Sequence, residues 1–287
     1  MTELMIQENG FNIEEISAEL GAASVSNGLG QSMPDLKMNY DGENGPMGAL
    51  FLKMGKNGNC QDNVYAKGDV RFRAFSSHIQ WQHWGEDREL INKSLLVNNM
   101  RDEARDQLGG VRCSLPKYED FWALTEEGRK GHMGKDQYRV VRGLVSYTGN
   151  KPDGTEVTIE NHPCVFQGKR KNYGRFYEDV TGKMAQGVNL WDFESILSKD
   201  TKTNAYKKKF YVLRFNPQFG EPIEMDQITY DSLMHVRNLI TNENSRINEA
   251  YKETHMQKDD EAEAARIMEA VDTFDAPRQR PVQLSRL

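Results

Sequence analysis

Basic and aromatic side chains are interleaved at two places in the second half of the chain. Around the first, Tyr173, Phe176 and Tyr177 stand among Arg170, Lys171 and Arg175; around the second, Tyr206, Phe210 and Tyr211 flank Lys207, Lys208 and Lys209. Cationic side chains neutralise phosphates, and exposed rings provide faces on which unpaired bases stack, worth roughly 1–3 kcal/mol per base. This pattern indicates a groove for a single nucleic-acid strand.

Two further groups extend the predicted groove. Trp191 and Phe193 alternate onto one face of a strand, and Arg71 with Arg73 precedes Trp81 on strands upstream. The residues that we predict to contact nucleic acid are Arg71, Arg73, Trp81, Lys169, Arg170, Lys171, Tyr173, Arg175, Trp191, Phe193, Lys202, Tyr206, Lys207, Lys208, Lys209 and Tyr211. The alternative is that the aromatics form core and the lysines cover a solvated hairpin tip that blunts a sheet edge.

The distribution of charge favours the groove although the whole chain has a net charge of −6. Residues 167–183 hold five basic and two acidic side chains, and residues 199–214 hold six and one. Residues 258–275 hold seven acidic and two basic side chains. A basic middle before an acidic end is the arrangement expected of a chain that attracts an anion locally.

The sequence gives weaker evidence for a metal site or an enzyme than for a nucleic-acid groove. His162 and Cys164 could join Cys113, Cys60 or His132 at zinc, but structural zinc sites usually have paired ligands on both sides, so no metal is predicted. The chain lacks the phosphate-cradling loop, the nucleophile elbow and the zinc-protease helix. Asp153 and Glu156 resemble a nuclease pair only faintly and lie on a Pro-Asp-Gly turn. We therefore expect neither an enzyme nor a cofactor.

Strand-like segments surround these residues. Residues 138–147 are rich in β-branched and aromatic side chains, and residues 155–167 form a second extended run that we expect to break near Pro163. Residues 171–184 have helical spacing, and a hairpin follows from strands at 190–199 and 207–215. Upstream, strands are predicted at 36–40, 64–75, 78–84 and 90–97.

The order of strands, one helix and then a hairpin is that of an oligonucleotide-binding (OB) barrel, which has five strands and a helix before the last pair. The expected fold is mainly β with α additions (α+β): an OB-like five-stranded barrel, a long C-terminal helix over 226–256 and a mobile acidic tail. Residues 1–33 are predicted to be an appendage with a flexible linker, 34–257 the nucleic-acid-binding domain, and 258–287 a disordered acidic, then basic, tail.

The cysteines and the N-terminus bear on location. Three widely spaced cysteines favour a reducing interior over a disulfide framework. The N-terminus has no secretory pattern, and no apolar run of about 18 residues occurs. We expect a cytoplasmic protein that is not inserted in a membrane.

These features resemble the single-stranded-DNA-binding proteins of bacteriophages, which combine an OB-like barrel, basic-aromatic hairpins and an acidic C-terminal extension. The segments that carry the resemblance are 138–147, 165–184, 190–215 and 258–274. The resemblance implies sequence-tolerant coating of exposed DNA in replication, recombination and repair, in the cytoplasm of the host cell. It also implies that replication or recombination proteins bind the acidic tail. The chain departs from the family by ending in a basic segment, residues 278–287, which puts this recruitment role in doubt.

Two other functions remain open at this point. One is a virion or assembly protein whose β-rich domain contacts other proteins, and the other is a diverged replication-associated nuclease. Single-stranded DNA is the predicted partner, and the sequence leaves the oligomeric state open.

Overall fold

The computed structural model describes residues 33–54, 60–114, 122–130, 134–203, 207 and 209–275, with the backbone alone for residues 259–275. The predicted N-terminal appendage therefore lies almost entirely outside the described residues. The described part of the chain contains nine strands in one sheet: β1 (Asp35–Met38), β2 (Leu50–Lys53), β3 (Val64–Ala66), β4 (Val70–Trp84), β5 (Leu90–Lys93), β6 (Lys135–Asn150), β7 (Glu156–Lys169), β8 (Ser195–Thr203) and β9 (Lys209–Pro217).

Five of these strands close into a barrel in the order β1-β2-β3-β6-β7. Neighbours around the ring are antiparallel except at the closure, where β1 and β7 pair in parallel at Asp35 and Val165. A ring with an odd number of strands cannot be antiparallel throughout, so one parallel pair is required. The predicted OB-like barrel with additional strands and a C-terminal helix is confirmed.

The hairpin of β8 and β9 has a different position from the one that we predicted. We expected it to supply the last two strands of the barrel, but the ring closes without it. The hairpin instead pairs with β4, where Val70 lies opposite Leu197. β3 and β4 follow one another along β6, so β4 continues the barrel wall and the hairpin extends it.

Pro163 does not break its strand. Val165 donates its N–H to the carbonyl of Pro34, so the nitrogen two residues earlier faces the same edge, toward β1 and away from β6. Proline has no N–H to donate, and here β6 needs none from it. The predicted strands at 64–75 and 78–84 also differ from the structure, because β4 runs through both with an irregular register between Ala74 and Ser76.

The barrel core is apolar and lies under both the ring and the hairpin. Its largest fully buried side chains include Phe72, Leu52, Leu213, Phe176 and Phe215, and the rings of Phe176 and Phe215 meet edge to face. Tyr147 crosses this core: its hydroxyl donates to the Val64 carbonyl and accepts the Leu52 N–H. One side chain thereby ties β6 to β2 and β3.

The predicted helix at 171–184 is a series of short helical turns. A 3-10 turn covers Arg170–Asn172 and a π-helical turn covers Tyr177–Thr181. The predicted buried face is present in part, since Phe176 and Val180 are buried whereas Tyr177 is exposed.

Two α-helices complete the described fold, α1 (Glu126–Lys130) and α2 (Gln227–Asp275). Val236 of α2 packs on Phe75 and Leu144, on the outer face of β4 and β6. Within the part of the chain that the structure describes, no helix is long and apolar enough to cross a membrane. The backbone of α2 continues to Asp275, so the acidic half of the predicted tail is helical, and its mobility stays a prediction.

Candidate functional site

A cleft of about 740 Å³ opens at one end of the barrel. Its walls are the β1–β2 loop, the end of β3, the β6–β7 turn and the start of β8. In OB folds, the loops that join barrel strands hold oligonucleotides and oligosaccharides. A ligand in this cleft would therefore meet four separate chain segments.

Asn39 fixes the β1–β2 loop. Its Nδ2 donates to the Gly45 carbonyl at 2.9 Å, and its Oδ1 accepts the Gly42 N–H at 3.3 Å. Its backbone pairs with Gly48 and Ala49 across the neck of the loop. One buried amide thus orders a loop in which most of the other residues are exposed.

Two glycines allow the loop to lie close to its neighbours. A Cβ on Gly45 would fall 2.4 Å from the ring of Tyr65, and one on Gly48 would fall 2.6 Å from Lys199 Nζ. Gly48 also has a φ of 77°, which side-chain-bearing residues rarely adopt. The Gly/Asn-rich composition of residues 41–48, which we predict only as a loop, is explained by this close packing.

Three lysines stand at the cleft. Lys67 pairs with Glu156 at 2.7 Å, and Lys151 pairs with Asp62 at 3.7 Å. Lys199 Nζ donates to the Met47 carbonyl at 3.3 Å and lies 5.1 Å from the centre of the Tyr211 ring. Exposed ion pairs of this kind contribute about 0–1 kcal/mol each, so a phosphate can replace the carboxylate at small cost.

The hairpin brings some of the predicted residues beside this cleft. Tyr211 and Lys209 lie opposite Thr201 and Thr203, on the same face as Lys199, because alternate residues of a strand share a face. Lys202 projects from the other face, and Lys207 is exposed at the hairpin turn. Tyr206 and Lys208 lie outside the described residues.

The second predicted cluster occupies the turn after β7. Lys169, Arg170 and Lys171 are exposed, and Lys169 lies 3.4 Å from Asp136. Tyr173 is half-buried beneath the Arg139 guanidinium, 5.3 Å from its centre, and Arg175 bonds to Glu178 at 2.5 Å. Three cations of this cluster are therefore open to solvent. Of its aromatic residues, Phe176 is buried, Tyr173 is half-buried and Tyr177 is exposed.

Four further predicted residues, away from the cleft and the turn after β7, are buried or half-buried by the fold. Phe193 belongs to the barrel core, Trp81 is buried beneath Arg112, and Trp191 packs against Phe75 and Leu144 on the outer face of the sheet.

Arg73 is buried as well. It donates to the Trp191 carbonyl at 2.7 Å and to the carbonyls of Ile223 and Glu224, so it fastens the chain before α2. These four side chains have structural contacts that account for them. Arg71 remains exposed, 3.8 Å from Glu194.

The sequence pattern missed Lys67, Lys151 and Lys199 as site residues. Each is a single lysine without an aromatic neighbour in sequence, and the three come together only because β3, β6 and β8 meet at one end of the barrel. A signal was available for two of them, since Gly68 follows Lys67 and Gly154 lies in the same turn as Lys151.

The structure also shows where the residues considered above for a metal site and for a nuclease lie. Among the described residues, no group of three or more His, Cys, Asp or Glu side chains is arranged to hold a metal. Cys164 lies in the core, where burial raises the pKa of its thiol, and burial raises the pKa of Cys113 to about 12. Asp153 accepts the Thr155 N–H within its turn, and Glu156 pairs with Lys67.

The chain was also compared with known proteins. No protein-family model, curated protein or solved structure matches it.

Proposed function

We propose that this protein binds single-stranded DNA in a sequence-tolerant manner, along the barrel-end cleft and the β8–β9 hairpin. The observation that carries the proposal is the convergence of Lys67, Lys151 and Lys199 on one cleft of an OB-like barrel. Three cations from three chain segments can contact successive phosphates of one strand. The biological setting, coating of phage DNA during replication, recombination and repair in the host cytoplasm, rests on the family resemblance alone.

The residues that we propose as DNA contacts from the structure are not all those predicted from the sequence. Lys209 and Tyr211 continue from Lys199 along one face of the hairpin, so the basic surface extends beyond the cleft. Trp81 and Phe193 are buried, and Trp191 and Tyr173 are largely packed, so these rings do not offer free faces. Contacts between cationic side chains and DNA phosphates therefore supply most of the proposed affinity. Base stacking requires aromatic rings other than these four.

The test is a titration of labelled oligo-dT and of a duplex of equal length, followed by fluorescence anisotropy over a range of salt concentrations. Wild-type protein should prefer the single strand, because only unpaired bases can stack. Joint replacement of Lys67, Lys151 and Lys199 by Gln should flatten the log–log salt dependence by about two units, from roughly 0.7 per lost phosphate contact. Equal affinity for both DNAs would contradict the proposal.

A matched variant controls for the loss of charge. Arg237, Arg246 and Lys252 are three exposed cations on α2, and their joint replacement by Gln changes net charge by the same amount. This control should retain the wild-type salt dependence. If both triple variants flatten it equally, binding responds to net charge and the cleft has no special role. Far-UV circular dichroism verifies that both variants are folded.

A further inference from the structure

Tyr40 is an exposed ring at the centre of the proposed interface. It lies two residues after the end of β1, at the neck of the β1–β2 loop, and 52% of its surface is exposed. Met47, at the other side of the neck, is 53% exposed. Backbone hydrogen bonds between Asn39 and both Gly48 and Ala49 bring these two ends of the loop together. An aromatic and a thioether side chain are thus presented to solvent at one place.

Asn172 holds the Tyr40 side chain in position. Its Nδ2 donates to the Tyr40 hydroxyl at 3.0 Å, and its Oδ1 accepts the backbone N–H of Leu213 at 3.0 Å. The hydroxyl end of the ring is therefore tied to β9 through one amide. A ring fixed at its polar end loses little rotational freedom when a ligand covers its face.

Exposed cations lie on the two segments that contact this ring and its loop. Lys171, adjacent to Asn172 in the chain, is exposed on the turn after β7. Lys199 reaches the loop from the hairpin, where its Nζ donates to the Met47 carbonyl. The turn after β7 is thus joined to Tyr40 through Asn172, and the basic cleft is joined through Lys199 to Met47 of the same loop.

We infer that Tyr40, with Met47 beside it, is a base-stacking platform of this interface, and that it takes one unpaired base whose flanking phosphates face Lys171 and Lys199. The inference rests on the proposed function, and it names a contact that the interleaved segments do not contain. It also accounts for single-strand preference on a surface where the predicted aromatic residues are mostly packed.

The experiment separates base contacts from phosphate contacts. Tyr40→Ala and wild-type protein are titrated with oligo-dT and with an abasic strand of equal length, which has the same phosphates but no bases. Tyr40→Ala should bind oligo-dT about 5- to 150-fold more weakly, the range for one lost stacking contact, and should bind the abasic strand as wild type does. Tyr40→Phe keeps the ring and should retain most of the affinity for oligo-dT.

Tyr230→Ala is the matched control, since Tyr230 is a similarly exposed tyrosine on α2. If Tyr40→Ala weakens both strands equally, the residue supports the loop and stacks no base, and the inference is overturned. If Tyr40→Ala matches wild type while the triple lysine variant loses binding, the inference fails and the proposed function stands. If wild-type protein shows no preference for single strands, the proposed function fails, and the platform with it.

Discussion

Several buried or half-buried charges in this fold are balanced by partners distant in sequence. Glu243 of α2 lies 2.7 Å from Arg142 and 2.8 Å from Lys93, and Gln80 donates to it as well. Burial alone would raise the pKa of Glu243, but the two cations outweigh it and hold that pKa below its usual range. Removal of Glu243 would leave Arg142 and Lys93 without this partner in a largely buried setting, which costs more than the intact network contributes.

His78 lies beside this network and makes stability depend on pH. Burial lowers its pKa to about 4, with Arg142 and Arg139 acting in the same direction and Glu243 opposing them. Between pH 6.5 and 4 the unfolded state binds a proton that the folded state does not, so stability is lost as pH falls. Unfolding in urea should show a loss of about 2 kcal/mol from pH 7 to pH 5 for this group.

His78→Gln should remove this part of the pH dependence, and His255→Gln, at an exposed position on α2, is the matched control. Glu243 acts in the same direction only below its usual pKa, but burial also lowers the pKa of His162 and of His83. The part due to His78 is therefore the difference between wild type and His78→Gln over the interval from pH 7 to pH 5. An unchanged pH dependence in His78→Gln would show that the imidazole is not responsible.

Tyr147 provides a second test at single-residue scale. Tyr147→Phe keeps the ring but leaves the Leu52 N–H and the Val64 carbonyl without their partner inside the barrel. An unsatisfied buried polar group costs about 1–3 kcal/mol, so the free energy of unfolding should fall by at least about 1 kcal/mol. Tyr177→Phe, at an exposed site, should change it little. Equal effects of the two substitutions would show that the barrel does not depend on this hydroxyl.

At the scale of elements, local pattern predicted more than long-range pairing did. β6 and the β8–β9 hairpin follow from β-branched and aromatic runs, and α2 follows from apolar residues at helical spacing. The closure of the barrel does not follow, because β1 and β7 pair across about 130 residues through a single bridge. The burial of Trp81 and Phe193 was also beyond the pattern, since alternation identifies a face without showing what covers it.

Substitutions at the hairpin tip test whether the β8–β9 hairpin binds phosphates. Lys207, Lys208 and Lys209 replaced together by Ala should flatten the salt dependence of oligo-dT binding by about two units if each touches a phosphate. The free energy of unfolding should stay unchanged, because Lys207 and Lys209 are exposed. An unchanged salt dependence would show that the run is a solvated hairpin tip, which is the alternative that the sequence leaves open.

At the scale of the whole molecule, positive charge is concentrated at the barrel and negative charge near the end of α2. The basic cleft and hairpin lie at the barrel, and α2 leads from the outer face of the sheet into the acidic residues 259–275. A tethered segment at millimolar effective concentration can occupy a basic site without high intrinsic affinity. We predict that this segment, with a net charge of −5 over residues 258–275, competes for the cleft, which requires the end of α2 to unwind or bend toward the barrel.

Neutralising the acidic segment should therefore tighten DNA binding. The variant replaces Asp259 and Asp260 by Asn, and Glu261 and Glu263 by Gln, which removes charge and keeps residues of similar shape. Its gain in affinity for oligo-dT should be largest at low salt and shrink as salt screens both the segment and the DNA. A truncation after Asp275 is the control, because it removes Arg278, Arg280 and Arg286 and keeps the acidic residues. If the neutralised variant binds no more tightly than wild type at low salt, the acidic segment does not compete for the cleft, and its charge serves solubility or the recruitment of another protein.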